Sequence, residues 1–66
     1  MFNDAPTVMV YEFEYRDLGS GSWIRSPVPA TREAIASNGW KAIPGSGRPI
    51  LAELVANNGV AFRKPD

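Results

Sequence analysis

Hydrophobic and polar positions alternate most regularly near the start of the chain. Val8-Met9-Val10-Tyr11-Glu12-Phe13-Glu14-Tyr15-Arg16 is rich in β-branched and aromatic residues and has a period of two, which predicts one β-strand. Met9, Tyr11, Phe13 and Tyr15 fall on one face, and Val8, Val10, Glu12, Glu14 and Arg16 on the other. The aromatic face carries more apolar area per residue and is the expected core face. The opposite face begins apolar and ends charged, so its first half is expected to be covered and its second half wet. Asp17-Leu18-Gly19-Ser20-Gly21-Ser22 reads as a turn. Trp23-Ile24-Arg25-Ser26 then returns as a short second strand, closing a β-hairpin. A one-residue change of register decides whether Trp23 or Ile24 joins the aromatic face. If Glu14 lies opposite Arg25, the pair adds a few tenths of a kcal/mol.

After the stiff connector Pro27-Val28-Pro29 the period changes. Thr31 is placed to cap a helix running about Arg32 to Ser37, with Glu33 favouring its positive end and Ala34 and Ile35 on the buried side. Asn38-Gly39 stops it. Trp40-Lys41-Ala42-Ile43 reads as a third strand. Following the turn Pro44-Gly45-Ser46-Gly47-Arg48, Pro49 stands where a first helical residue belongs. Ile50, Leu51, Leu54 and Val55 then recur at helical spacing. Asn58-Gly59 stops this second helix, and Val60-Ala61-Phe62 is a fourth strand. The two helix–strand units share Glu, Ala, Asn and Gly positions twenty residues apart, at 33–44 and 53–65. A period seen twice is too little for a solenoid and reads as a duplicated unit.

The expected fold class is therefore α+β: an N-terminal β-hairpin followed by two short helix–strand units, in the order β-β-α-β-α-β, with both helices on one face of the sheet. All 66 residues form one small domain (1–66), with 1–7 as a lead-in and 63–66 as a charged tail. A chain this short buries only about 60% of the surface its unfolded form exposes. With no cysteine and no histidine, neither a disulfide nor a good zinc-ligand set is there to staple it. Apolar packing, a partner subunit or both must hold it together.

The absence of His and Cys also removes the commonest general base and the strongest side-chain nucleophile. Of the seven carboxylates, only Glu12 and Glu14 are brought together locally, about 7 Å apart on one strand face. Paired carboxylates can cleave glycosides, but that needs a cleft, and a domain this small rarely holds one of about 300 Å³. A solvated strand face explains them more simply. The expectation is a protein that is not an enzyme and uses no metal or cofactor.

Three binding surfaces remain. Gly45-Ser46-Gly47-Arg48 leading into a helix offers N–H groups, a dipole and a guanidinium to an anion, although the spacing is not that of a phosphate loop. Tyr11, Phe13, Tyr15, Trp23 and Trp40 are near Arg16, Arg25 and Lys41, a combination able to stack bases and follow phosphates. If the rings instead form the core, the surplus apolar surface at Val8, Val10, Trp23, Ile24 and Trp40 becomes a candidate protein interface. Seven basic residues balance seven acidic ones, which argues against a dedicated nucleic-acid binder and leaves little self-repulsion to oppose self-association.

The N-terminus has no basic-then-apolar signal pattern. The longest apolar run, Val8 to Tyr11, is far short of the roughly 20 residues that span a bilayer. The reading is a cytoplasmic protein with no membrane contact, in the style of a small bacterial or phage accessory or regulatory protein. Its expected partner is another protein or itself as a homodimer, with nucleic acid as the alternative.

Overall fold

The computed structural model describes residues 5–61. Six strands and one helix follow in order: β1 (Thr7–Tyr11), β2 (Phe13–Arg16), β3 (Trp23–Arg25), β4 (Ala30–Thr31), α1 (Arg32–Asn38), β5 (Lys41–Ala42) and β6 (Arg48–Leu51). They build two antiparallel three-stranded sheets, ordered β4-β1-β6 and β3-β2-β5. The class is α+β, but with one helix where two were expected.

The long strand anticipated over 8–16 is broken at Glu12. Its N–H donates to Ser46 Oγ at 3.0 Å and its carbonyl accepts the Ile43 N–H at 2.8 Å. The 43–46 turn thus satisfies the one residue that belongs to neither sheet. On either side of it each half takes its own neighbours. The hairpin is present, with Glu14 opposite Arg25, Tyr15 opposite Ile24 and Arg16 opposite Trp23. Opposed residues share a face, so Ile24 lies on the side of Phe13 and Tyr15, and Trp23 faces outward.

α1 forms where its signals stand together. The Thr31 hydroxyl accepts the Ala34 N–H at 3.2 Å. Gly39 closes the helix at φ 71°, and the Trp40 N–H reaches the Ile35 carbonyl at 3.0 Å. This is a Schellman stop, which needs a residue able to adopt the left-handed conformation. Thr31→Ala is expected to lower stability by about 1 kcal/mol, measured as the shift in urea midpoint; an unchanged midpoint would show that the hydroxyl does not hold the helix.

The second expected helix is a correction. Arg48–Leu51 is strand β6, paired with β1 from Thr7↔Leu51 to Val10↔Arg48, and only a single 3-10 turn, Ala52–Leu54, follows. The twenty-residue equivalent of Thr31 is Leu51, which offers no side-chain cap. A short uncapped helix is unstable alone, whereas β1 presents ladder groups that need partners. The Ala52 N–H donates to the Pro6 carbonyl at 2.9 Å. Even-numbered β1 residues therefore exchange bonds with β6, and odd-numbered ones point the other way. Pro49 stands opposite Met9, at a position whose N–H would point out of the sheet. Its missing donor costs nothing there.

Among the described residues the fourth strand is reduced to two isolated antiparallel bridges, Ala30↔Val60 on β4 and Val55↔Ala61. Phe62 and the tail 63–66 lie outside the described residues. The main core cluster is Phe13, Ala30, Ala34 and Ile35, with Tyr11, Tyr15, Trp40 and Val60 packed against it. Phe13 and Trp40 stack with ring centroids 4.4 Å apart. The aromatic face is thus the core face as far as Tyr15. Met9 lies beyond the cover and is 47% exposed, while Val10, in the first half of the opposite face, is fully buried and so is not available as the interface residue it was expected to be.

Candidate functional site

The register of β3-β2-β5 decides what its outer face carries. Glu14 lies opposite Arg25 on one side and Lys41 on the other, and Arg16 lies opposite Trp23. Glu12, two residues from Glu14, continues the same face. Arg16, Trp23, Arg25 and Lys41 are all exposed, and both glutamates are partly buried. Lys41 Nζ sits 4.3 Å from the centre of the Trp23 ring, a cation–π pair reaching across the width of the sheet. The three proposed nucleic-acid contacts, Arg16, Arg25 and Lys41, are brought together.

Glu12 is the node of this face. Its carboxylate pairs with Arg25, and Arg48 Nη1 approaches its other oxygen at 3.6 Å from β6. One carboxylate at the break thus ties the two sheets together. Its groups are partly exposed, so each pair contributes at most about 1 kcal/mol. Arg25 bonds Glu12 rather than Glu14, its directly opposed residue.

This arrangement uses the residues proposed for anion binding. Ser46 Oγ donates to the Ile43 carbonyl at 2.6 Å while it accepts from Glu12. Arg48 faces Glu12. No helix begins after Gly47, so the helix dipole that reading needs is absent. Gly47 has a packing reason of its own: a Cβ there would lie 2.6 Å from the Tyr11 ring. Gly45 has φ 78° and serves the turn.

The candidate protein interface does not form one patch. Val10 is buried, and Trp40 is stacked on Phe13 and half-buried. Trp23 and Ile24 point to opposite faces of β3, and half-buried Val8 lies in the other sheet. The structure gathers a different apolar set. Met9, Pro49 and Leu51 share a face of β4-β1-β6, and all three are exposed. That face continues from the core, but seven-residue α1 is only about 10 Å long and does not extend over it. Sequence reasoning missed this patch because it assigned 49–51 to a helix.

A cleft of about 400 Å³ opens beside it, lined by Val8, Met9, Tyr11, Thr31, Arg32 and Glu33. So small a domain does hold a cleft of ordinary ligand size. Glu12 and Glu14 are not among its lining residues. The Arg32 guanidinium lies 5.4 Å from the centre of the Tyr11 ring, and its Nη2 is 3.5 Å from the phenol oxygen.

Asp17, in the hairpin turn, has its carboxyl held below the ordinary range. The main cause is the hydrogen bond from the Ser20 hydroxyl, followed by that from the Ser20 N–H. The bond from Ser20 Oγ is 2.7 Å long. These contacts make Asp17 a turn residue. Among the described residues no cluster of three potential metal ligands occurs, and no helix is long and apolar enough to cross a membrane. No known protein family, no curated protein and no solved structure matches this chain.

Proposed function

We propose that the protein is a small non-enzymatic accessory or regulatory protein that acts by binding another protein chain, with a second copy of itself as the first partner. The observation that carries this reading is the imbalance between core and surface. Among the described residues six apolar residues are buried, and three of them are alanines: Ala30, Ala34 and Ala61. Six large hydrophobic side chains, among them Met9, Leu51 and Leu54, remain more than a third exposed. A core built this way falls short of what a small domain without disulfide or metal needs, and oligomerisation is a common remedy. The uncovered Met9–Pro49–Leu51 face supplies apolar surface for it, and a chain of zero net charge brings little repulsion to the encounter.

Light scattering across a tenfold dilution, at low and high salt, tests the proposal. The expected result is twice the monomer mass, insensitive to salt because the contact is apolar, and a monomer for Leu51→Glu at the same concentrations. Monomer mass throughout for the parent chain overturns the homodimer.

A further inference from the structure

We infer that the outer face of β3-β2-β5 binds single-stranded nucleic acid, with Trp23 stacking on a base and Arg16, Lys41 and Arg25 meeting the neighbouring phosphates. The inference does not rest on self-association, since this face belongs to the other sheet from the Met9–Pro49–Leu51 patch. Its ground is the placement of charge. The chain as a whole is neutral, yet this face is not. Counting Arg48, which reaches Glu12 from β6, four cations meet two carboxylates on it. Of the two acids, Glu12 shares its one negative charge between Arg25 and Arg48, which leaves that trio net positive. Arg16 and Lys41 are exposed, and among the described residues neither makes an ion pair with a carboxylate.

An aromatic ring among cations is what separates this face from a merely solvated one. Phe13 is buried, and Tyr11 and Tyr15 pack against the core from the opposite face, so none of those rings stands on this one. Trp23 is the aromatic left on the basic face, 38% exposed and positioned by Lys41 at 4.3 Å. Base stacking on a sheet aromatic flanked by basic residues is the recognition mode of single strands, whose bases are free to leave their neighbours. A duplex is read by an element that enters its groove, and nothing projects from this face to do so. An acidic peptide would use the cations and leave the indole idle.

Fluorescence anisotropy with labelled oligouridylate and oligodeoxythymidylate at low salt tests the assignment. Binding should weaken with salt at a log–log slope of about −2, as three phosphate contacts on a single strand imply. Trp23→Ala should weaken it roughly tenfold, the loss of one stacked base, while Trp23→Phe retains most of it. Trp23 lies outside the core, and circular dichroism of each variant checks that the fold persists. Lys41→Ala should reduce the slope by about 0.7. The inference is overturned by absence of binding at low salt, by affinity that Trp23→Ala leaves unchanged, or by a polyglutamate peptide that displaces the oligonucleotide at equal charge concentration.

Discussion

Phe13→Ala is expected to leave no folded protein at ambient temperature. Phe13 is 3% exposed and is the largest of the buried side chains among the described residues. Removing a buried phenylalanine costs about 3–5 kcal/mol, the lost transfer energy plus the cavity left behind. Native domains hold about 0.05–0.15 kcal/mol per residue, so a chain this size has roughly 3–10 kcal/mol in total. The neighbours cannot close the gap. Ala30 and Ala34 have no side-chain length to extend, and the Trp40 ring is stacked on the one that is removed. Circular dichroism and tryptophan emission should both report an unfolded chain. Phe13→Leu, which keeps most of the apolar volume, should fold with a lowered melting temperature. A cooperative transition for Phe13→Ala within a few degrees of the parent would show that the core lies elsewhere.

The second large effect separates two glycines that the sequence presents as equivalent. Gly39 and Gly59 both follow asparagine and both have positive φ, 71° and 86°. Alanine at Gly39 would meet nothing within 4 Å, so Gly39→Ala costs only the left-handed backbone, about 1–2 kcal/mol. At Gly59 a Cβ would lie 2.6 Å from Ala34 Cβ and 2.9 Å from Thr31 Oγ1. Ala34 Cβ is fixed directly to the helix backbone and cannot swing aside, and Thr31 Oγ1 is the atom that caps α1. Overpacking therefore adds about 1–3 kcal/mol and puts the cap at risk. Parallel urea titrations should place Gly59→Ala well below Gly39→Ala, with Gly59→Ala at the edge of folding. Equal midpoints would mean that residues 59–61 do not pack against the start of the helix.

This pair of glycines also shows why part of the fold was legible in the sequence and part was not. Thr31, Glu33 and Gly39 specify α1 by local signals, each within one turn of the bond it makes, and the helix is found where those residues place it. The Asp17–Ser22 turn specifies the hairpin in the same way. The second unit copies the Glu, Ala, Asn and Gly of the first but replaces the capping threonine with Leu51. With that one local signal missing, pairing with β1, some forty residues upstream, decides the outcome. Ile50 and Leu51 fit a helical stripe and a strand equally well, and periodicity cannot choose between them. Glu12 is a similar case. The alternation runs through it without a mark, because its partner Ser46 is 34 residues away. The basic face was legible in part: Arg16, Arg25 and Lys41 flank aromatic residues in the sequence. The hairpin register was needed to show that Trp23, and not Tyr11, Phe13 or Tyr15, stands among them. The Met9–Pro49–Leu51 patch depends wholly on a long-range pairing and was not legible.

Pro49 has a bearing on how far assembly can proceed. A sheet with an open border is a template, and each added strand normally exposes a fresh border for the next, which is how fibres grow. On the β6 side that border lacks a donor at Pro49. On the β4 side it is occupied by residues 59–61, through the Thr31 N–H bond to the Gly59 carbonyl and the Ala61 N–H bond to the Pro29 carbonyl, each 2.9 Å. Copies of this chain that meet at this sheet would thereby be directed to join through side chains on a face rather than through backbone at a border. A homodimer formed face to face, as proposed, would close on itself at two copies, and the same proline that hid a strand from the sequence pattern would keep the β6 border from adding more.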